Sequence, residues 1–250
     1  MLPNQAECRV VPKIDFAQPV LRLLLCSASF DASPLFPDVR GAITRDLLDL
    51  LETKKWQFES HDLFVINENT KRLVTLEPDT MMIMAGEPPA DPEALKAECL
   101  EIAELVLSQL QVAQFSNFAM NLDWHIGVLK GTGLAAWLHE FLGLSAANPF
   151  FDAFGGKPQE TEAQFTFHPQ ENVGLQIQLK PISASEAAED SFFDEPESYF
   201  PDEALELGIW RLSDPEESYN AGDLGEIWMD SYSRMMKMSD RAGLAIAGQQ

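Results

Sequence analysis

Positive charge is scarce in this chain of 250 residues: 17 Lys and Arg stand against 40 Asp and Glu, for a net charge of −23. The deficit grows along the sequence, with −4 over residues 1–90, −7 over 91–180 and −12 over 181–250. A field of that sign repels phosphate backbones, so direct nucleic-acid binding is not expected. A partner met through such a surface is expected to be a basic protein. Cysteine is scarce as well. Cys8, Cys26 and Cys99 are odd in number and have no CxxC spacing, which argues against a disulfide frame and for a reducing compartment. Long apolar runs are missing. The longest, 20–28, is interrupted by Arg22, and the first sixteen residues lack the apolar core of a signal peptide. The sequence therefore predicts a cytoplasmic protein that does not enter the membrane.

Catalytic motifs are absent too. There is no GxSxG elbow, no GxGxxG or GK[ST] loop, and no helix with two histidines one turn apart. Gly131-Thr132-Gly133 reads as a turn and helix start, since no third glycine or lysine follows. No catalytic residue, metal or cofactor is predicted.

What is present is a regular order of elements. Residues 19–28 are nearly continuously apolar, as expected of a central strand. Pro37 and Asp38 open a helix running to about Thr53, with Val39, Ile43, Leu47 and Leu50 on one stripe. Residues 56–84 read as a meander of four short strands separated by polar turns. In the first of these, Trp56 and Phe58 alternate with polar residues and are expected in the core. Asp91 as N-cap, Pro92 and Glu93 then start a helix that ends near Leu110. After Gln111 the order begins again: a strand within 112–128, a short helix at 134–142, a loop at 143–160 rich in Gly, Pro and Phe, a hairpin of 163–167 with 173–179, a strand at 205–212 and a closing helix at 223–238.

The predicted fold is α+β. Two tandem β-α-β(3-4)-α units form a largely antiparallel, curved sheet with helices packed on one face. The first half is 19–111 and the second 112–240, packed as one unit, with an irregular lead-in at 1–18, an acidic insert at 181–203 and a frayed tail at 241–250. This order resembles the double repeat of the TATA-box-binding protein, without a basic concave surface. The segments WQFES (56–60), RLVTLEPDTMMIM (72–84) and LGEIWMDSYSRMM (224–236) resemble a family of uncharacterised bacterial proteins of similar length. That resemblance implies a fold and no reaction. The family carries arginines in the strand after the second helix, where NFAMNLDWHIGV (117–128) has none, so an anion-binding role for that strand does not carry over.

Two groups of residues are candidates for a site. Asp123 and His125, two apart in a strand, share a face, and His139 follows in the next helix; with Phe150, Phe151 and Phe154 they would line a cleft between the halves. The plain alternative is a strand-end His125 near a carboxylate and an exposed His139. The second group is the acidic insert. Nine acids and no base lie between residues 186 and 206, interleaved with Phe192, Phe193, Tyr199 and Phe200. A solvating tract has few aromatics. With Asp194, Glu195 and Glu197, these aromatics are expected to dock on a basic partner, the charges steering and the rings anchoring. The competing expectation is that the rings tuck back onto the protein's own core. The functional expectation is thus a non-enzymatic accessory protein. A small-ligand binder or enzyme using the cleft is the alternative, and an acidic inhibitor that mimics nucleic acid is a third.

Overall fold

A computed structural model of the chain describes residues 13–89, 91–131, 133–142, 162–170, 173–213 and 218–247. Cys8, Thr132, most of the lead-in, the last residues of the tail and the loop carrying Phe150, Phe151 and Phe154 lie outside the described residues.

The apolar run around Arg22 forms strand β2 (Val20–Ser29), continued outward by the short β1 (Asp15–Phe16). Helix α1 (Phe36–Leu50) begins at the expected proline. The meander is β3 (Lys55–Glu59), β4 (Asp62–Asn67), β5 (Arg72–Leu76) and β6 (Thr80–Gly86). Helix α2 (Pro92–Gln109) has the predicted cap, the Asp91 carboxylate accepting from the Glu93 backbone N–H at 3.0 Å. Strand β7 (Gln114–Lys130) is the longest at 17 residues. Helix α3 (Leu134–Phe141), β8 (Ala163–Gln170), β9 (Val173–Ser183), helix α4 (Ala184–Glu189), β10 (Glu203–Ser213), β11 (Ser218–Asn220) and helix α5 (Leu224–Ala247) complete the described chain.

The fold is α+β, with one unclosed sheet in the order β3-β4-β5-β6-β2-β7-β10-β9-β8. Among the described residues every strand pairing is antiparallel. Strand β7 lies at the middle because it pairs with β2 on one side and β10 on the other. Its even-numbered residues Met120, Leu122, Trp124 and Ile126 are fully buried, each contributing about 1.5–3 kcal/mol of apolar burial. Helices α1, α2 and α5 line up on that same face, α2 touching both others. Helix α3 joins them through Leu134, Trp137 and Leu138. No helix among the described residues is long and apolar enough to cross a membrane.

Three details differ from the sequence expectation. First, Trp56 and Phe58 do not enter the core. Strand β3 is the sheet's edge and solvent-exposed throughout, Trp56 being 50% exposed with its ring edge-on to Phe58 at 5.2 Å. Alternation identified a face, but nothing wide enough covers it there. Second, α5 does not stop at residue 238. It runs to Ala247, with Ile246 buried, so 241–247 continue the helix and do not fray. Third, the helices do not all lie on one face, because the acidic insert carries α4. Ser183 and Glu186 cap α4 reciprocally, each satisfying the other's backbone N–H. Ala187 packs with Ile182, Phe200 and Ala204 in a small second cluster on the sheet face away from the main helices. The expectation of helices on a single face fails at α4 for that reason.

Candidate functional site

The face of β7 opposite the main core carries Asn121, Asp123 and His125 (Asn121 and His125 are both buried), polar residues at alternating positions on the longest strand. Three neighbouring features turn this polar stripe into a cleft. Strand β2 has a bulge between Leu21 and Leu23, opposite Trp124 and Asp123, and the extra residue is Arg22. The bulge turns Arg22 onto the cleft side together with Leu23. Strand β10 places Gly208 opposite Asp123 and Glu206 opposite His125. A β-carbon at Gly208 would stand 2.3 Å from Trp210 Cη2 and 2.9 Å from Asp123 Oδ1, so only glycine lets the indole and the carboxylate share that spot.

The insert provides the roof. The Phe193 ring lies on Gly86, where a β-carbon would stand 2.7 Å from its Cε2. Phe200 faces His125 at 5.7 Å between ring centres and stands edge-on to Tyr199. The Arg22 guanidinium lies 4.6 Å from the Tyr199 ring centre and 5.7 Å from that of Phe200. Lys71 fastens the roof to the sheet: its Nζ bonds Glu195, reaches Glu87 at 3.1 Å and sits 4.2 Å from the centre of Tyr199. Burial opposes the Lys71 charge, but the bonds to Glu195 and Glu87 outweigh it and raise its pKa. Lys71→Met is therefore expected to loosen residues 190–200. Limited proteolysis checks this, and cleavage no faster than in the unsubstituted protein would show that the aromatics alone hold the roof.

The cleft has a volume of about 140 Å³, bounded by residues of β2, β6, β7, β9, β10, α4 and the roof. Its polar groups are incompletely matched. Among the described residues, Arg22 Nε, Asp123 Oδ1 and His125 Nδ1 of its lining, and Asn121 Oδ1 next along β7, are buried without a hydrogen-bond partner. The nearest carboxylate to Arg22 is Glu87 at 4.0 Å. Asn121 donates to Asp123 Oδ2 at 2.8 Å, leaving Oδ1 unmatched. Such groups are costly to bury, roughly 1–3 kcal/mol each, and mark a place where a bound molecule would be rewarded. Burial and the nearby Glu206 push the Asp123 carboxyl up to about 7. Burial, against the pull of Lys180, also raises Glu206. Burial and the Arg22 charge hold His125 down at about 4, so it is neutral near pH 7.

Asp123 and His125 thus come together as their spacing predicts. His139 does not join them: α3 packs on the main-core face, across the sheet. Among the described residues no group of three His, Cys, Asp or Glu is arranged to hold a metal. Within the insert, Phe193 at 9% and Phe200 at 8% exposure turn inward, Tyr199 is half-buried, and Glu195 is spent on Lys71. Of the seven residues expected to dock, Phe192, 51% exposed, Asp194 and Glu197 face solvent. Sequence reasoning missed Arg22, Glu206 and Gly208. Arg22 did leave a signal, as the lone charge in the 20–28 run. A second, larger groove of about 590 Å³ lies between α5 and the β1–β7 corner, but none of its lining residues has an unmatched buried polar atom among the described residues. Neither a protein-family model nor any curated protein matches the chain.

Proposed function

We propose that the protein binds a small polar ligand in the cleft beneath the insert. The carrying observation is the convergence there of the unmatched, buried Arg22 Nε, Asp123 Oδ1 and His125 Nδ1 under an aromatic roof. The cleft also sits where a ligand site is favoured, at a junction. We read the chain as two tandem units, β2-α1-β3-β4-β5-β6-α2 and β7-α3-β8-β9-β10-α5, meeting at the β2–β7 seam. The mirrored strand order about that seam supports this reading, as it supports the likeness to the TATA-box-binding-protein repeat. Arg22, Leu23, Gly86 and Glu87 come from the first unit and Asp123, His125 and Glu206 from the second. A cytoplasmic location accords with two buried free thiols, Cys26 and Cys99.

The test is a thermal-shift and native mass spectrometry screen of the full chain against free amino acids, amines, carboxylates, sugars and nucleosides. At least one compound is expected to bind, and Arg22→Met and Asp123→Asn are each expected to weaken it at least about tenfold. A screen without a hit, or a hit indifferent to both substitutions, sinks the reading.

A second reading rests on Phe192. It stands outward among Asp194 and Glu197 in the most acidic third of the chain, which suits docking on a basic protein. Pull-downs with the full chain and with Phe192→Ser test it, and an identical partner set in both removes Phe192 from consideration.

A further inference from the structure

The cleft carries groups of opposite demand. One is Arg22, whose guanidinium lies against Tyr199 and Phe200 and keeps Nε unmatched. A guanidinium has donors only, and the partner that matches its planar fork is a carboxylate. His125 is neutral near pH 7 and Lys71 is engaged by Glu195 and Glu87, so Arg22 is the cation left to face a ligand. Among the lining residues Asp123 Oδ1 is an acceptor without a donor, and Glu206 adds a second carboxylate close to Asp123. An ammonium group supplies three donors and a compensating charge there. A simple anion leaves the acceptors unmatched, and a simple cation leaves Arg22 unmatched. A neutral sugar satisfies neither charge. The volume of about 140 Å³ lies below the roughly 300–1,000 Å³ typical of pockets for drug-sized ligands, which favours a ligand smaller than a nucleotide or a peptide.

Building on the ligand-binding reading, we infer that the cleft takes a small zwitterion of the amino-acid type, its carboxylate on Arg22, its ammonium at Asp123 and Glu206, and its side chain against Phe193 and Phe200. The acidic surface of the whole protein does not oppose this, because a zwitterion carries no net charge.

Isothermal titration of the full chain at pH 7.5 tests the inference. The probes are the free L-amino acids, each paired with its decarboxylated amine and its des-amino carboxylic acid. One or more amino acids are expected to bind, with both single-charge relatives at least about tenfold weaker. Arg22→Met is expected to erase the preference over the amine, and Asp123→Asn the preference over the acid. Arg22→Lys, which keeps the charge, is expected to retain part of the affinity and guards against a folding defect in Arg22→Met. If an amine or an acid binds as tightly as the amino acid, or if only sugars or nucleosides bind in an Arg22-dependent way, the zwitterion is wrong and the ligand-binding reading stands. If nothing binds, or if binding ignores both Arg22→Met and Asp123→Asn, both fall.

Discussion

Asp123→Asn is expected to make the protein more acid-labile between pH 6.5 and 4, by up to about 1.4 kcal/mol for each pH unit relative to the unsubstituted protein, in which the Asp123 contribution opposes that of His125. The two titrations have opposite signs. His125 has an ordinary value of 6.5 and is held at about 4 in the fold. Between those values the unfolded chain binds a proton that the folded chain refuses, so stability rises with pH. Asp123 is the reverse. Its ordinary value is 3.8 and the fold pushes it to about 7. Between those values the folded chain holds a proton that the unfolded chain has lost, so stability is full below 3.8 and is lost as pH rises through 7. Over the shared window the two slopes oppose each other. Removing Asp123 exposes the histidine's dependence, at most about 3 kcal/mol in all, and His125→Asn exposes the carboxylate's, about 4 kcal/mol with the opposite sign. The causes are separate, burial and Arg22 for His125, burial and Glu206 for Asp123, so each substitution leaves the other shift in place. The charged groups around the pair are Arg22 and Glu87 from the first half of the sheet, Glu206 from β10, and Asp190 and Glu195 from the insert. Glu206, also raised, acts in the same direction as Asp123. Urea denaturation at pH 4, 5, 6, 7 and 8 reads the slopes directly. Parallel curves for the two variants would show that the carboxyl and the imidazole are not buried together.

Trp228→Ala is expected to cost about 3–5 kcal/mol, Trp228 being the largest fully buried side chain among the described residues. For a chain of this length that corresponds to a fall of roughly 6–20 °C in Tm. Trp228 is 1% exposed, stacks on Tyr232 with ring centres 5.1 Å apart, and stands with Cys26 of β2, Cys99 of α2 and Phe118 of β7. Truncating it opens a void where α5 meets the sheet and α2. The indole Nε1 is buried without a partner among the described residues, so the tryptophan carries an internal penalty. Trp228→Phe keeps most of the ring and removes that N–H, and is expected to cost less than half as much. Equal losses in the two variants, measured by thermal and chemical denaturation, would show that contacts of the outer indole ring dominate.

The parts of the fold that the sequence revealed are those where local chemistry and burial agree. The apolar run at β2, the stripe of α1 and the Asp91-Pro92-Glu93 start of α2 each state their structure within a few residues. The period of two at Asp123 and His125 placed both on one face, as observed. What failed did so where a distant part of the chain decides. Trp56 and Phe58 have a core-like alternation, but burial depends on whether a helix reaches the sheet's edge. The tail from residue 241 reads as frayed, yet α5 continues to Ala247 because Ile246 finds the core. Arg22 enters the cleft through a bulge, and a bulge is a mismatch between two strands that neither states alone. The aromatics of the insert show the same limit from the other side. Composition showed that they are not there for solvation, but only the position of Gly86 and Lys71 determines that Phe193 and Phe200 turn inward.

Among the described residues, the strands on the two sides of the β2–β7 seam are joined through the turn holding Gln111. Strands β1 to β6 lie on one side and β7 to β11 on the other, so a cut after Gln111 severs one exposed turn and no strand pairing. On the tandem-unit reading proposed above, the continuous chain corresponds to a heterodimer whose subunits are tethered. Its interface is a zipper of backbone hydrogen bonds between β2 and β7 with the main core behind it. Two polypeptides ending and starting there would meet as partners, and their association would depend on concentration where the natural chain's does not. In that form the cleft becomes an intersubunit site, and a molecule lodged in it acts as a clasp.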